Sequence, residues 1–349
     1  MKKNPVKVLI VIMLDLVIFA GLLLSFAWFH HARPKEISSI RSFDLPTAAP
    51  SDVMQTEQVN LTPDPNATPT PTHDPDATSS PIPSDSPTRI PRNGLLGDKY
   101  AEKFTDGEII CDEHGYRSRN ICIEMSEHAI RINDLPVHYF VADIYIQDIN
   151  CFRCALAENE SHKDSVVNMA NANNAIVALS GDYFYHHNSG LAIRNGQLLR
   201  EKLHPKQDVC VLYADGTMET YLVGHVDRDY IYSKSPLHAW SFGPRLLENG
   251  LPMTSFNTSV EGWNPRAALG YYEPGHYCFV IVDGRQEPDY SYGMQMQDLS
   301  KLMYDLGCKE AYNLDGGMTA MMAYNGSLYS HPCGGGRSNS DILYIAEPN

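Results

Sequence analysis

Three short stretches of the chain place an aspartate beside a glycine immediately after a run of apolar residues. They are Gly181-Asp182, Asp283-Gly284 and Asp315-Gly316-Gly317. Glycine has no Cβ, so the backbone beside each carboxylate can take a positive φ or approach a ligand closely. Sheet proteins often place reactive groups at the ends of strands. The three stretches are therefore candidates for one reactive site, although an Asp-Gly pair alone is more typical of a tight turn.

Paired carboxylates have the chemistry that glycoside cleavage requires. One carboxyl group acts as an acid and the other as a nucleophile or base, across a transition state that resembles an oxocarbenium ion. Asp182, Asp283 and Asp315 are the candidate catalytic residues, and we expect them to converge at one end of a sheet. Asp215 also precedes a glycine, but it lies between two predicted strands and is interpreted as a hairpin-turn residue.

Motifs of other enzyme classes are missing from the sequence. There is no G-x-S-x-G motif of a serine hydrolase, no H-E-x-x-H zinc motif and no G-x-x-x-x-G-K-[ST] phosphate loop. Gly334-Gly335-Gly336 lacks the lysine and the helix of such a loop, and is interpreted as a flexible loop. His186-His187 is a weak indication of a metal and fits a surface loop better. We predict no metal and no cofactor.

The composition indicates a globular protein with an acidic balance. The chain has 349 residues, 43% of them hydrophobic, which suffices for one large domain or two ordinary ones. Its formal net charge is −15 and no cluster of Lys and Arg occurs. Because phosphate-backbone binding needs such clusters, the composition argues against a nucleic-acid partner.

The N-terminus has the pattern of a membrane anchor. Three lysines among the first seven residues precede an apolar run over residues 8–29, about the length that spans a bilayer as a helix. Asp15 interrupts the run, at a cost that one helix can carry. The positive-inside rule places the N-terminus in the cytoplasm and the rest outside. A cleaved signal peptide is the alternative, but its apolar region is shorter. We predict a cytoplasmic stub and a single-pass anchor in the cell membrane over residues 1–30.

Residues 31–93 are predicted to be a disordered linker. Thr62-Pro63-Asp64-Pro65 and Thr68-Pro69-Thr70-Pro71-Thr72 are typical of this segment, which is rich in Pro, Thr, Ser and Asp. Too few large apolar residues occur here to offset the entropy lost on ordering. Proline keeps such a chain extended, so the segment is expected to act as a semi-rigid spacer.

Residues 94–349 are predicted to form one extracellular domain. Runs of β-branched and aromatic residues predict strands, and Asn195-Gly196 predicts a hairpin turn. Apolar residues at helical spacing from Leu299 to Leu306 predict a helix that Gly307 ends, and residues 165–174 predict another. The fold class is therefore α+β, with mixed β-sheets and packed helices.

The cysteine pattern predicts a disulfide. Cys151-Phe152-Arg153-Cys154 is a CxxC motif with no second copy. In a domain outside the membrane such a motif favours a disulfide, or merely two thiols in a turn, over a redox or zinc site. The favoured pairs are Cys151–Cys154 and Cys111–Cys122, although eight cysteines allow many pairings. Three cysteines in apolar runs are interpreted as core residues: Cys210, Cys278 and Cys308.

Six stretches in order resemble the phosphodiester glycosidase family over roughly residues 131–346. They are Leu179-Ser180-Gly181-Asp182-Tyr183-Phe184, Ser241-Phe242-Gly243-Pro244, Asn264-Pro265-Arg266-Ala267-Ala268-Leu269-Gly270, Val282-Asp283-Gly284-Arg285, Tyr312-Asn313-Leu314-Asp315-Gly316-Gly317 and Arg337-Ser338. The resemblance implies a hydrolase that acts on a sugar-1-phosphodiester. Bacterial relatives in this family are often described as exopolysaccharide-related.

Two positions depart from the family pattern. The family has Asn-Gly where this chain has Ser180-Gly181, and Gly-Ser where it has Met318-Thr319. Thr319 retains a hydroxyl group. Met318 places a large side chain where the family has bare backbone, which affects how a substrate fits.

A phosphate monoester leaves with little protonation, so the protein must mainly hold its negative charge. Arginine does this best, through bidentate hydrogen bonds. The N–H groups of Gly316 and Gly317 are expected to add an anion-binding nest. Each arginine has an alternative role as partner of a nearby aspartate. The candidate substrate- and phosphate-binding residues are Arg266, Arg285, Arg337, Asn313, Gly316, Gly317 and Thr319.

Together these features predict a membrane-tethered hydrolase that cleaves the glycosidic C1–O bond of a sugar-1-phosphodiester in a surface or extracellular glycan. Its partners are the phosphorylated glycan and, through the N-terminal helix, the membrane. The alternative is a non-catalytic binding or assembly module for phosphorylated exopolysaccharide, which Met318 favours if it closes the site.

Overall fold

The computed structural model describes residues 13–14, 17–22, 39–45, 93–159 and 161–348. Within these ranges the chain is mostly β-structure, arranged as three large sheets and one two-stranded hairpin, with few helices. The α+β prediction is therefore confirmed only in part. Sheets dominate, and the strand pairings of the described residues are antiparallel rather than mixed.

The largest sheet has seven strands. Their spatial order is β17 (Glu310–Asn313), β15 (Arg266–Glu273), β16 (His276–Val282), β5 (Leu135–Ile146), β4 (Ile121–Ile132), β3 (Gly115–Arg117) and β2 (Ile110–Asp112). Strand β15 pairs antiparallel with both β16 and β17. Strands β16 and β17 therefore run in the same direction and end at the same edge of the sheet.

Two further sheets complete the domain. The five-stranded sheet has the order β19 (Ser327–Leu328), β18 (Met322–Tyr324), β7 (Val177–Ser180), β20 (Asp341–Ile345) and β6 (Phe152–Leu156). The six-stranded sheet has the order β1 (Arg41–Ser42), β9 (Gln197–Arg200), β8 (Ala192–Arg194), β12 (Pro236–Ser241), β10 (Val209–Tyr213) and β11 (Met218–Tyr221). Strands β13 (Leu247–Glu248) and β14 (Leu251–Pro252) form the small hairpin.

The described residues from 93 onward contain three α-helices: α1 (Val166–Ala172), α2 (Arg228–Ser233) and α3 (Met296–Asp305). The Ser165 side chain caps α1 by accepting a hydrogen bond from the N–H of Asn168 at 3.0 Å. Gly307, just beyond α3, has φ +89°, the left-handed conformation typical of a helix C-terminus. Both predicted helices are present, each shorter than or offset from its sequence pattern.

Strand β16 is buried on both faces. Tyr277, Phe279 and Ile281 point into the core that all three sheets share, whereas Cys278, Val280 and Val282 face a second core beneath α3. Because successive strand residues point to opposite faces, a strand enclosed on both sides needs a continuous apolar run. The run that ends at Asp283 therefore reflects a central position in the fold.

Phe152 on β6 lies where the three sheets meet. Its ring centroid is 6.2 Å from that of Trp240 on β12, and 5.4 and 5.7 Å from those of Tyr277 and Phe279 on β16. These separations are within the range of favourable aromatic pairs. One aromatic cluster thus fixes the relative positions of the sheets, and with them the loops at their edges.

Part of the predicted linker is ordered. Residues 39–45 contain β1, and the N–H of Phe43 donates to the carbonyl of Gly196 at 2.7 Å. Phe43 is buried among apolar side chains of the six-stranded sheet, so the disordered-linker prediction is wrong for these seven residues. Most of the remaining linker, 46–92, lies outside the described residues.

The predicted membrane anchor falls mainly outside the described residues. Only 13–14 and 17–22 of the apolar run are described, and they are helical. In the described part of the chain, no helix has both the length and the apolar character needed to cross a membrane.

The disulfide prediction is wrong, because all eight cysteines are free. Strand β3 lies between Cys111 on β2 and Cys122 on β4, which separates the two Cα atoms by about 9–10 Å. Cys154 follows Cys151 along an extended strand, a separation of about 10 Å. A disulfide joins Cα atoms no more than about 7 Å apart.

The cysteine environments predict a two-step labelling pattern. Cys111 is exposed and the other seven are buried, so a thiol reagent is expected to modify one cysteine rapidly in the native protein. In denatured, unreduced protein, all eight cysteines are expected to be labelled. Mass spectrometry of the labelled protein measures both counts, and Cys111→Ser is expected to remove the rapid site. Fewer than eight labelled thiols after denaturation would contradict the free-cysteine arrangement.

Candidate active site

The three predicted aspartates lie along one rim of the domain. Asp283 follows β16 and Asp315 lies two residues beyond β17, so both leave the same edge of the seven-stranded sheet. With β15 between them, the strand ends are about 10 Å apart. The N–H of Asp315 donates to the carbonyl of Gly181 at 3.0 Å, which brings the end of β7 and Asp182 to this rim.

Asp182 belongs to a buried ionic network. One oxygen, Oδ1, accepts a hydrogen bond from Nη2 of Arg194 at 2.7 Å, and Oδ2 accepts from the N–H of Ser241 at 3.0 Å. The same Arg194 nitrogen donates to Oδ2 of Asp341 at 3.1 Å. All three charged side chains are almost completely buried. Asp182 is therefore occupied with holding the structure and is shielded from solvent.

The turn before Asp182 fits tightly against Asp341. A Cβ added to Gly181 would lie 2.3 Å from the carboxylate carbon of Asp341, a distance that non-bonded atoms do not reach. Oδ1 of Asp341 also accepts a hydrogen bond from the N–H of Asp182 at 3.2 Å. Glycine at 181 is thus required by the close approach of a side chain on β20.

The network has one positive charge for two carboxyl groups. Burial and the charge of Asp182 raise the pKa of Asp341, although Arg194 opposes this effect. Burial alone would lower the pKa of Arg194, but the two carboxylates raise it above its usual value. Breaking such a buried pair by removing one partner typically costs about 3–5 kcal/mol. The network is therefore a stability element at the base of the rim.

Asp315 has a different environment. The residue is partly exposed, and burial raises the pKa of its carboxyl group to about 6 against the opposing effects of the Thr319 hydrogen bond and the Arg337 charge. The carboxyl group can therefore gain or lose a proton near neutral pH, as a catalytic base requires. Asp182 and Asp283 are buried, whereas Asp315 is partly exposed and has a pKa of about 6.

Thr319 orients the Asp315 carboxylate. Its hydroxyl oxygen lies 2.8 Å from Oδ2 of Asp315 and 2.6 Å from the carbonyl oxygen of Gly316. One hydroxyl has one proton, which serves Asp315 when the carboxylate is ionised. When Asp315 is protonated, it can donate to the hydroxyl, which then donates to Gly316. Thr319 is fully buried, so it supports the carboxylate and does not face a substrate.

Two exposed arginines flank this carboxylate. Nη2 of Arg285 donates to Oδ1 of Asn264 at 2.8 Å, and its guanidinium lies over Gly317, where an added Cβ would be 3.4 Å from both terminal nitrogens. Gly317 has φ +64°, a conformation that favours glycine. The exposed Arg337 acts on Asp315 through its charge. Both guanidinium groups are thus available to an anion beside Asp315.

Other predicted binding groups serve the protein itself. Arg266 is buried, and its guanidinium donates to the carbonyls of Met294, Val260, Glu261 and Gly262. Burial, with the charge of Arg285, lowers its pKa to about 10. Arg266 therefore holds the loop that precedes β15. The hydrogen bonds of its guanidinium go to these carbonyls and not to an aspartate, the alternative partner expected from the sequence.

The peptide groups near Asp315 are also occupied. The N–H of Gly317 donates to the carbonyl of Pro265 at 3.0 Å, and that of Gly316 bonds the carboxylate of Asp315. The predicted anion-binding nest is therefore filled by the protein's own acceptors. Asn313 is buried, and its Nδ2 donates to the carbonyl of Gly243 at 2.8 Å, which fixes the loop after β12.

Asp283 is paired with aromatic residues. Its Oδ2 accepts hydrogen bonds from the hydroxyl of Tyr290 at 3.0 Å and from the N–H of His331 at 2.9 Å. The side chain is 1% exposed, and burial raises its pKa despite these bonds. Asp283 thus lies on the rim but is inaccessible to a substrate.

The remaining sequence motifs have structural roles. His186 stacks on Tyr183 with 3.7 Å between ring centroids, and no cluster of metal-ligating side chains occurs among the described residues. Met318 is partly exposed, and its Cε would lie 3.4 Å from a Cβ on Gly334. The end of its side chain therefore packs on the glycine loop.

Two residues of the rim were missed by the sequence reasoning. Arg194 directly follows the apolar run Leu191-Ala192-Ile193, and Asp341 is the first residue of a strand that is otherwise apolar. A charged residue inside a buried strand needs a partner. That signal was present in the sequence, but it does not identify which partner is used.

Comparisons with known proteins identify a similar family and a similar fold. The family model described as phosphodiester glycosidase matches residues 173–346. The auto-inhibited catalytic domain of zebrafish N-acetylglucosamine-1-phosphodiester alpha-N-acetylglucosaminidase superposes with a TM-score of 0.54 at 22% identity, covering 69% of this chain and 88% of that one. This similarity shows a shared fold.

A relative of undefined function is also similar in sequence. The SPbeta prophage-derived uncharacterized protein YomE of Bacillus subtilis (strain 168) is 29% identical over 198 residues, which cover 54% of this chain and 30% of that protein. The chain therefore spans less than a third of the length of this relative. The resemblance seen in the sequence motifs is confirmed by the phosphodiester glycosidase family model, which matches residues 173–346.

Proposed function

We propose that this domain hydrolyses the glycosidic C1–O bond of a sugar-1-phosphodiester, with Asp315 as the nucleophile or general base. The observation that carries the proposal is the partly exposed Asp315 carboxylate with a pKa of about 6 beside two exposed arginines. An ionised carboxylate at this position stabilises the positive charge that develops on the sugar ring.

The accessibility of the carboxylates favours a phosphate leaving group. An alkoxide leaving group needs a second carboxyl group to protonate it, but Asp182 and Asp283 are almost completely buried. A phosphate monoester leaves as an anion and needs little protonation. One accessible carboxylate is therefore sufficient for this class of substrate.

Arg285 and Arg337 are assigned to the phosphate. Guanidinium groups bind phosphate oxygens through two parallel hydrogen bonds, with a charge that persists at every physiological pH. Arg285 lies at Gly317 and the charge of Arg337 acts on Asp315, so both suit a phosphate attached to the sugar carbon that reacts. Arg285 is held in place by Asn264, which limits the side-chain entropy lost on binding.

The cellular setting remains a proposal from the sequence. The lysines and apolar run of the first 30 residues favour a domain outside the cell membrane with the N-terminus in the cytoplasm. A substrate in a surface or extracellular glycan is consistent with that location and with the exopolysaccharide-related members of the family. The sugar and the group on the far side of the phosphate are left open.

Turnover of chromogenic sugar-1-phosphodiesters tests the proposed chemistry. Asp315→Asn is expected to lower kcat by about 10²–10⁴-fold, the usual loss when a general base is removed. Arg285→Lys is expected to raise KM about tenfold with a smaller change in kcat, because a point charge replaces the bidentate fork.

Asp215→Asn is the matched control, because Asp215 is an exposed turn residue whose Oδ1 accepts hydrogen bonds from Thr217. It is expected to keep wild-type turnover. Equal turnover by the wild type and a well-folded Asp315→Asn variant would remove Asp315 from the reaction. Binding of these compounds by the wild type without turnover, across several sugars, would favour the non-catalytic module.

The raised pKa of Asp315 also predicts how its replacement affects stability. Folding raises the pKa of this carboxyl group from about 3.9 to about 6, so ionisation is harder in the native state and stability is lost as the pH rises between these values. Asparagine avoids this loss. Asp315→Asn is therefore expected to raise the Tm at pH about 8 by a few degrees.

The gain in Tm should shrink towards zero at pH about 4, where the native Asp315 carboxyl group is protonated and therefore uncharged, as asparagine is. Thermal unfolding of wild type, Asp315→Asn and Asp215→Asn over this pH range measures the difference. A constant difference in Tm across the range would contradict the pKa assigned to Asp315.

A further inference from the structure

Asp283, Tyr290 and His331 form a chain of hydrogen bonds at the same rim as Asp315. The Tyr290 hydroxyl lies 3.0 Å from Oδ2 of Asp283 and 3.1 Å from Nδ1 of His331. The backbone N–H of His331 also donates to Oδ2 of Asp283 at 2.9 Å. The chain thus leads from a carboxylate that is 1% exposed to an imidazole whose side chain is 63% exposed.

The count of protons fixes the direction of these hydrogen bonds. When Asp283 is ionised, its Oδ2 accepts hydrogen bonds both from the backbone N–H of His331 and from the Tyr290 hydroxyl. The single proton of the Tyr290 hydroxyl is then used by Asp283. Nδ1 of His331 can bond the Tyr290 oxygen only as a donor. The neutral imidazole therefore has its proton on Nδ1 and its lone pair on Nε2.

The surroundings hold Tyr290 and His331 in place. The ring of Tyr290 stacks on His138 with 4.1 Å between centroids, and the ring of His331 lies 5.5 Å from Phe140. The side-chain amide of Gln286 donates to the His331 carbonyl at 2.6 Å. We call Asp283, Tyr290 and His331 the relay. Stacking holds Tyr290, a tilted ring contact and the Gln286 hydrogen bond hold His331, and burial holds Asp283.

The relay lies beside the groups assigned to the phosphate. Arg285 is two residues beyond Asp283, and its guanidinium reaches Gly317. The backbone that follows His331 passes the glycine loop to Arg337, whose charge acts on Asp315. His331 thus lies in a loop that is hydrogen-bonded to Gln286, the residue after Arg285, and that leads along the chain to Arg337.

We propose that Asp283 and Tyr290 position His331 as a third phosphate ligand, with Nε2, when protonated, donating a hydrogen bond to a phosphate oxygen of the substrate. Asp283 and Tyr290 are positioning residues, because they act through His331. The negative charge of Asp283 stabilises the imidazolium across the Tyr290 hydroxyl. The inference rests on the proposed function only for the identity of the anion.

The charged and titratable groups around His331 come from three elements. Asp283, Arg285 and Tyr290 lie on the segment after β16, His138 on β5 and Glu127 on β4, with Nδ1 of His138 3.8 Å from Oε1 of Glu127. Glu127 and Asp283 favour the imidazolium, whereas Arg285 and His138 oppose it when charged. The pH dependence of phosphate binding is therefore expected to depend on the Asp283–Tyr290 pair as well as on His331.

Nitrogen-15 NMR of the imidazole rings tests the relay without turnover. In the wild type, the neutral form of His331 is expected to have its proton on Nδ1, in contrast to the Nε2–H form that histidine prefers in water. Tyr290→Phe keeps the ring that stacks on His138 but removes the hydroxyl. It is expected to return His331 to the Nε2–H form. A wild-type His331 with its proton on Nε2 would overturn the relay.

Titration with inorganic phosphate tests the ligand role. The Nε2 signal of His331 is expected to shift on binding, and His331→Gln is expected to weaken phosphate binding about tenfold at pH about 6, because a charge-assisted hydrogen bond is lost. His114→Gln is the control, since its side chain is 84% exposed and lies in the β2–β3 turn. Equal binding by wild type and His331→Gln would overturn the role.

These results are separate from turnover. A His331 that has the Nδ1 proton and binds phosphate, in a protein that cleaves no sugar-1-phosphodiester, would support the relay and contradict the proposed hydrolysis. Cleavage by a protein whose His331 signal does not respond to phosphate would support the hydrolysis and overturn the role of His331 as a phosphate ligand.

Discussion

The buried guanidinium of Arg194 joins two of the three sheets at the base of the candidate site. It extends from β8 in the six-stranded sheet to Asp182 and Asp341, which belong to the five-stranded sheet and its loop. Because buried charges are costly unless they are paired and hydrogen-bonded, these three side chains must stay together. The Gly181 carbonyl is thereby fixed, and the N–H of Asp315 bonds to it. The position of the catalytic candidate depends on this network.

The rim separates two kinds of carboxyl group. Asp182 and Asp341 share a buried cation and hold the backbone, whereas Asp315 remains partly exposed with its pKa raised by burial to about 6. A carboxylate in such a position reduces stability at neutral pH, and the buried network and the aromatic core around Phe152 offset that loss. This division explains why Asp182 and Asp315, which share a local sequence pattern, have different roles.

Local signals in the sequence were sufficient for much of the fold. Helical spacing before Gly307 predicted α3, and the Asp-Gly turns at the ends of apolar runs identified the rim. Long-range pairing was not accessible: Arg194 meets Asp341 from 147 positions away, and the pattern of one strand does not specify its partner. The guanidinium of Arg266 was assigned to phosphate because a sequence does not show that nearby carbonyls already occupy it. Cys111 and Cys122 are close along the chain, but a strand intervenes.

The central claim is that an ionised Asp315 reacts with a phosphodiester held by arginines. The dependence of kcat/KM on pH tests it most directly, since a phosphodiester stays ionised over the whole range and the limbs report the free enzyme. The account predicts that kcat/KM for a sugar-1-phosphodiester rises as the pH increases through about 6, the pKa of Asp315, and that Asp315→Asn loses this rise. A wild-type kcat/KM that stays constant or falls between pH about 4 and about 7 would contradict it.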